Sequence, residues 1–355
     1  MKQLRIGFLS TAGIGRKNWK AILNSGNCVI SAVASRDVKK SRDFIRECQD
    51  ENSFDLIPDA LGSYEALIAS PEVDAVYIPL PTGLRKEWVL RAAAAGKHIL
   101  CEKPCGVSTA ELEEMISACA KHRVQFMDGV MFMHSQRLAR VREALDDGTS
   151  VGQIKRIVAQ FSFGGHEEFF RTNIRANAAL EPAGCLGDLG WYCIRFALWT
   201  MNWRLPCEVS ARMLAQTDAG VPVDFSAELI FNGGVSASLY CSFINFRQQW
   251  VNVSGTKGYL QISDFVNPFY GDEVAFVITN IGQAGHKVLP DVRRVAVAEH
   301  GNGHATAQES NMFRNFANQI FSGKLNDDWP MWAQKTQKVL DACYGAARQN
   351  CRVIL

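Results

Sequence analysis

The chain has 355 residues, 47% of them apolar, which is too much for one ordinary core and suits two domains of unequal size. Its 38 Lys and Arg against 36 Asp and Glu leave almost no net charge, and there is no basic block. Neither nucleic acid nor a membrane surface is therefore implied, and a small-molecule partner is.

Eleven cysteines lie scattered through apolar segments without CxxC pairs, which reads as reduced thiols in a cytoplasm-like compartment. After "MKQLR" the chain enters an apolar strand with no small-residue cleavage site, and no window approaches the length of a membrane span. A soluble, intracellular protein is expected.

From residue 4 to about 130, short β-branched runs alternate with helical periodicity. The strands are "LRIGFLS", "CVISAVAS", "VDAVYIPL", "KHILCEKP" and "VQFMDGVM"; between them lie helical pieces such as "GRKNWKAILNS", "VKKSRDFIRECQ" and "RKEWVLRAAAAG". Such alternation demands crossovers, hence an α/β fold with a doubly wound parallel sheet, a Rossmann domain expected over 1–133. Beyond "MFMHSQR" and a linking helix, "RLARVREALDDG", longer alternating strands dominate: "IKRIVAQFSF", "CEVSARMLAQ", "FSAELIFNGG", "VSASLYCSF", "QWVNVSGTKGYLQISDF" and "EVAFVITN". They predict an α+β domain over 134–355, built on a large, mostly antiparallel, open-faced sheet. Two helices, near 305–322 and 330–348, close the chain and pack back on one of the domains.

In a doubly wound sheet, ligands sit beyond the carboxyl ends of the strands, and the first turn offers backbone N–H groups to a pyrophosphate. That turn is "STAGIG": Ser10, Thr11, Ala12, Gly13, Ile14 and Gly15. Only Gly15 keeps a glycine of the G-x-G-x-x-G pattern, so an ordinary strand-to-helix turn stands as the alternative. The second strand ends in Ser35 where an NAD site carries an acid, followed by Arg36, Lys39 and Lys40. A hydroxyl beside a guanidinium suits a ribose phosphate and a carboxylate would repel one, so the expected cofactor is NADP, with NAD as the alternative. Solvation of a helix start is the other reading of Arg36 and Lys40. "CEKPCG" closes the "KHILCEKP" strand at the ligand rim and places Glu102 and Lys103 there, although lysines also end strands simply by reaching water.

The first turn, "EKP" at 102–104 and "GCLGDLGWY" at 184–192, in that order, resemble the glucose-fructose oxidoreductase, inositol dehydrogenase and rhizopine-catabolism (Gfo/Idh/MocA) family of NAD(P)-dependent oxidoreductases. The resemblance extends over essentially the whole chain, including "VSGTKGYLQISDF". Its active-site type is similar to dimeric dihydrodiol dehydrogenase, with tyrosine where inositol dehydrogenases carry histidine. It implies a nicotinamide between the domains, with Lys103, Asp188 and Tyr192 as catalytic, substrate-holding residues. It also implies cofactor contacts from Pro79, Pro81 and Thr82 in "PLPTG", from Glu102 and Lys103, and from Asp128 in place of the usual glutamate. Arg175 stands where relatives carry a substrate-side basic residue, with a surface arginine as the alternative. Arg85 replaces the usual histidine of the loop after the "VDAVYIPL" strand.

The implied activity is hydride transfer between NADP and a secondary alcohol or ketone of a sugar, cyclitol or dihydrodiol. Removing hydride from an alcohol carbon requires the hydroxyl proton to leave, and a phenol, with pKa about 10, becomes a usable base beside an ammonium. Tyr192 next to Lys103 would make that pair. Asp188 and Tyr192 stand four apart, one helical turn, yet an N-cap and a core aromatic remain the plain readings of them. Rival functions are a dinucleotide-binding regulator without turnover and a reductase of another carbonyl or a tetrapyrrole. The broad second sheet needs covering on one face, so a homodimer or higher homo-oligomer is expected. His134 and His166 lie near the domain junction without an assigned role. His300 and His304 are spaced like ligands, but no Cys or acid completes a metal site, so a solvated loop is expected.

Overall fold

The β-branched and aromatic runs of the first third form six parallel strands: β1 (Leu4–Leu9), β2 (Cys28–Ala34), β3 (Asp59–Leu61), β4 (Ala75–Ile78), β5 (His98–Cys101) and β6 (Phe126–Asp128). The computed structural model describes residues 2–269, 271–284 and 287–355. The strand order is β3-β2-β1-β4-β5-β6, with the crossovers made by α1 (Ile14–Ser25), α2 (Val38–Glu51), α3 (Tyr64–Ala69), α4 (Thr82–Ala94) and α5 (Thr109–Lys121). The order reverses between β1 and β4, the switch point at which a doubly wound sheet opens its ligand crevice. β3 escaped the sequence reading: at three residues with an exposed Asp59 it carries no alternation to detect.

Capping fixes the helix starts. Asp37, Ser63 and Ser108 accept from backbone N–H groups of the first turns of α2, α3 and α5. The core is a buried aromatic cluster in which Phe8 meets Trp19, Phe44 and Tyr77, the last at a centroid distance of 5.1 Å.

The chain divides into a first unit of residues up to Ser135 with His300–Gln334, and a second of Gln136–Glu299 with Lys335–Leu355. A single cut at 133/134 therefore needs correcting, because 300–334 return to the first unit. The reason is packing. Helix α9 (Gln308–Phe321) buries Met312, Phe313 and Phe316 in the core that holds Trp19 and Tyr77. Arg314 ties it to the end of α1 through the carbonyls of Asn24 and Ser25, and Lys17 pairs with the buried Glu309 at 2.6 Å.

In the second unit, α6 (Arg137–Asp146) leads into a mixed sheet of nine strands: β7 (Ile154–Gly164), β8 (Glu208–Gln216), β9 (Pro222–Phe231), β10 (Val235–Ser242), β11 (Ile244–Gly255), β12 (Gly258–Ile262), β13 (Val274–Ala284), β14 (Lys287–Val297) and β15 (Val353–Ile354). Only the β7–β10 pair is parallel among the named pairings. The expected single strand from "QWVNVSGTKGYLQISDF" is two strands folded at Thr256–Lys257, and β14 and β15 are additions. Alternation sends Ile157, Ala159, Phe161, Leu239, Val251 and Val253 to the buried face. That face is covered by α8 (Trp191–Thr200), whose Trp191, Ile194 and Phe196 are fully buried. Arg195 of α8 is buried too and donates to Thr336 at 2.7 Å. That threonine lies in α10 (Asp328–Gln349).

Candidate active site

The turn after β1 has the backbone of a nucleotide turn despite its composition. Ser10, where the first glycine is expected, adopts φ 146°, a region in which side chains are strained by about 1–3 kcal/mol. Its hydroxyl accepts from the N–H of Ala12 at 3.3 Å. No side chain caps α1, and the N–H groups of Gly15 and Arg16 turn back to the carbonyls of Ala12 and Gly13 at 2.8 and 3.2 Å, so the helix opens on a tight turn with its positive dipole end uncapped by any side chain. Gly15 meets the packing demand of the pattern: a Cβ there would come within 3.0 Å of Phe44 Cζ. A dinucleotide phosphate fits this geometry. Thr11, Ala12, Gly13 and Ile14 complete the turn.

Ser35 follows β2 directly, is buried, and donates its N–H to the carbonyl of Leu61. Arg36 beside it is exposed, as are Lys39 and Lys40. The positive potential of Arg36 reaches Tyr64, whose pKa burial raises and this guanidinium draws back. Asp37 is engaged as the α2 cap, accepting from Lys39 N at 2.9 Å.

Beyond β4, Pro79 is buried, and Pro81 stands at the N-cap of α4. Thr82 is buried and bound to Arg85, whose Nη1 donates to its hydroxyl at 3.1 Å. Arg85 is 5% exposed; Nε donates to the Leu80 carbonyl at 2.7 Å and Nη1 to that of Pro104. It thereby fastens the loop after β4 to the loop after β5.

Glu102 and Lys103 follow β5 directly, partly buried, and the Lys103–Pro104 peptide is cis. The Glu102 carboxylate accepts from the phenol of Tyr77 at 2.6 Å, and that phenol accepts from Asn18 Nδ2 at 2.6 Å. Burial pushes the Tyr77 phenol well above its ordinary pKa, and the adjacent Glu102 charge adds to the rise. Asp128, at the end of β6, is buried and opposite Cys101 in register.

In the second unit, residues Leu186–Gly190 form one π-helical turn that runs into α8. A π turn takes more residues than an α turn and often marks a functional site. It also excludes the N-cap reading of Asp188: the residue before α8 is Gly190, and the Asp188 carboxylate accepts from Arg175 Nε at 2.8 Å. Gly184 introduces the turn at φ +48°, where a Cβ would lie 2.1 Å from the Pro222 carbonyl, so only glycine fits. Arg175 sits on a short 3-10 turn, Ile174–Ala176, and the Asp188 charge raises its pKa. Tyr192 is 6% exposed and its ring stands edge-on to Phe161 at 5.7 Å. Arg175, Asp188 and Tyr192 are electrostatically linked, since Tyr192 is among the groups acting on Arg175.

The profile described as "Oxidoreductase family, NAD-binding Rossmann fold" matches residues 4–130, and "GFO/IDH/MocA C-terminal domain" matches 138–261. The trans-1,2-dihydrobenzene-1,2-diol dehydrogenase of Mus musculus is 34% identical over 269 residues, 75% of this chain and 76% of that protein. The chain belongs to the GFO/IDH/MocA oxidoreductase family. Another similar member, D-xylose 1-dehydrogenase (NADP(+)) 2 of Haloferax volcanii, is 31% identical over 74% of this chain and 77% of its own. Among solved structures, a 3-ketoreductase from Actinomadura kijaniata shares the fold with a TM-score of 0.82 at 23% identity, covering 97% of this chain and 98% of that one.

The histidines without an assigned role have local partners or face solvent. His134 ends a 3-10 turn of the first unit, where its ring meets Asn315 and Trp329. His166 is exposed at the start of α7 (Glu167–Thr172). His300 and His304 stack at 4.1 Å around the Thr306 hydroxyl. Among the described residues, no group of three or more His, Cys, Asp or Glu could hold a metal ion. The sequence reading missed Tyr77 and Asn18, and the only signal for them was a tyrosine and an asparagine on otherwise apolar faces.

Proposed function

We propose that this oxidoreductase transfers hydride between NADP and a secondary alcohol or ketone on a sugar, cyclitol or dihydrodiol. The observation that carries the reading is the Arg175–Asp188 pair beside Tyr192, in the family motif, which supports a fixed carboxylate able to accept from a substrate hydroxyl. When bound, the nicotinamide supplies the hydride donor or acceptor. Ser10–Gly15, Pro79, Pro81, Thr82, Glu102 and Asp128 would hold the dinucleotide, with Ser35, Arg36 and Lys40 on the ribose phosphate. In the oxidation direction Tyr192 takes the hydroxyl proton, and in the reverse direction it returns a proton to the carbonyl oxygen. Lys103 and Asp188, the latter held by Arg175, would hold and orient the substrate. The relatives' names, which cover a xylose, a dihydrodiol and an NADP-dependent activity, favour this substrate class and cofactor.

All eleven cysteines are free, which favours a reducing, cytoplasm-like compartment. Among the described residues, no helix is long and apolar enough to cross a membrane. Pairing of the open sheet face between two copies gives the homodimer we expect.

The test follows absorbance at the reduced-nicotinamide band with NADP and NAD separately, against aldoses, inositols, ketosugars and dihydrodiols. Turnover with NADP on a member of this panel is the expected result, and Tyr192→Phe should abolish most of it while leaving NADPH affinity intact. NADPH binding without turnover across the panel would replace the enzyme with a regulator.

A further inference from the structure

Tyr77 is an unusual residue to find in the middle of a parallel sheet: fully buried, ionisable, and engaged through its hydroxyl on both sides. The direction of the hydrogen bonds is forced. Asn18 can only donate through Nδ2, so it occupies the phenol oxygen as an acceptor, and the single phenolic hydrogen must go to Glu102 Oε1. The second carboxylate oxygen of Glu102 accepts from the N–H of Lys103 at 3.3 Å. On the remaining side, Gly129 backs against the carboxyl group so closely that a Cβ there would lie 3.1 Å from the carboxyl carbon. Asn18 belongs to α1, the helix that the phosphate turn opens, and Glu102 to the segment that also carries Lys103. The chain Asn18, Tyr77, Glu102 thus runs within the first unit from the helix of the phosphate turn to the residues after β5.

We infer that Tyr77, oriented by Asn18, is a positioning residue that holds the Glu102 carboxylate ready for the nicotinamide half of the dinucleotide. The inference rests on the proposed role of Glu102 as a cofactor contact. A carboxylate fixed before binding loses no rotamer freedom when the cofactor arrives, so its contribution appears as affinity for that half alone. The Tyr77 hydroxyl is bonded to Asn18 and Glu102, so its loss should act on the nicotinamide half and leave the adenosine half unaffected.

The experiment compares NADPH with 2′,5′-ADP, which carries the ribose phosphate but no nicotinamide, by titration calorimetry on the full chain. Tyr77→Phe should weaken NADPH binding about ten-fold, as loss of one hydrogen bond to a charged group does, and leave 2′,5′-ADP binding unchanged. Glu102→Gln should weaken NADPH similarly, and adding Tyr77→Phe to it should cost little more, because the tyrosine acts through the carboxylate. Asn18→Ala is the parallel variant should the buried Tyr77→Phe change compromise folding, with the same selective loss expected. Equal weakening of both ligands, unchanged NADPH affinity, or additive effects in the double variant would overturn the inference. Its failure is separable from failure of the proposed activity: NADPH affinity is read without substrate, whereas the activity fails as absence of turnover in the unmodified protein. An unmodified protein that binds neither dinucleotide would overturn both.

Discussion

Arg175 Nε and Asp188 Oδ2, thirteen residues apart, are joined at 2.8 Å, and the pair ties the short turn Ile174–Ala176 to the π-helical turn of the family motif. Asp188 is 15% exposed and Arg175 44%, so the guanidinium reaches from solvent to a carboxylate that is mostly enclosed. Solvent screening limits what such a pair adds to folding to about 1 kcal/mol or less. On the proposed function, its value lies in aiming the carboxylate.

Arg175→Gln should therefore separate stability from activity. The thermal midpoint should change little. Catalytic efficiency should fall by about ten- to a hundred-fold, because misplacing a substrate-holding group by about 1 Å has that effect. Differential scanning fluorimetry beside steady-state kinetics measures both. A large drop in midpoint with proportionate loss of activity would make Arg175 a structural residue instead.

The end of β2 gives a prediction about cofactor choice. Arg36 is exposed, and the neighbouring Asp37 already serves α2 as its cap. Arg36→Ala should raise KM for NADP about ten-fold or more, the effect of losing charge-assisted hydrogen bonds to a phosphate, while KM for NAD stays level. Ser35→Asp should go further and shift preference toward NAD, since a carboxylate there repels the phosphate and accepts from ribose hydroxyls. Initial rates with both dinucleotides check this, and an unaltered NADP preference in Ser35→Asp would sink the reading of this strand.

Why some of this was legible from sequence and some was not comes down to which physical signal each feature emits. The strand alternation of β7 and β10 and the β-branched runs of β1 and β2 announce their burial directly, and Lys103 announces the end of β5 because a lysine ends a strand at water. The amphipathic stripe of α9 announces only that one face is buried. That Phe313 and Phe316 pack beside Trp19 depends on contacts far apart in sequence. The turn at Asp188 reads as ordinary helix because π and α turns use the same residues. β14 has Pro290 and the adjacent Arg293 and Arg294, which weaken any strand pattern. Arg85 stands in the sequence where the family carries a histidine, with no role to read from it, and its buried bonds to Leu80 and Pro104 make it a clamp between loops.

His98 supplies a prediction in pH. It opens β5, and its Nδ1 accepts from the N–H of Gln125 at 2.9 Å, a bond that requires this nitrogen to be unprotonated. Burial lowers its pKa below the usual 6.5, with the nearby Asp74 charge opposing part of the shift. A histidine that is harder to protonate when folded stabilises the fold fully above its unfolded pKa. That stabilisation is lost as pH falls from 6.5 through the lowered folded value, because the unfolded chain binds the proton more readily. The thermal midpoint should thus fall between about pH 7.5 and 5.5 more steeply in the unmodified protein than in His98→Asn, whose Oδ1 accepts the same bond without titrating in this range. Parallel melts at the two pH values measure the slopes, and equal slopes in the two proteins would assign the pH dependence to other groups.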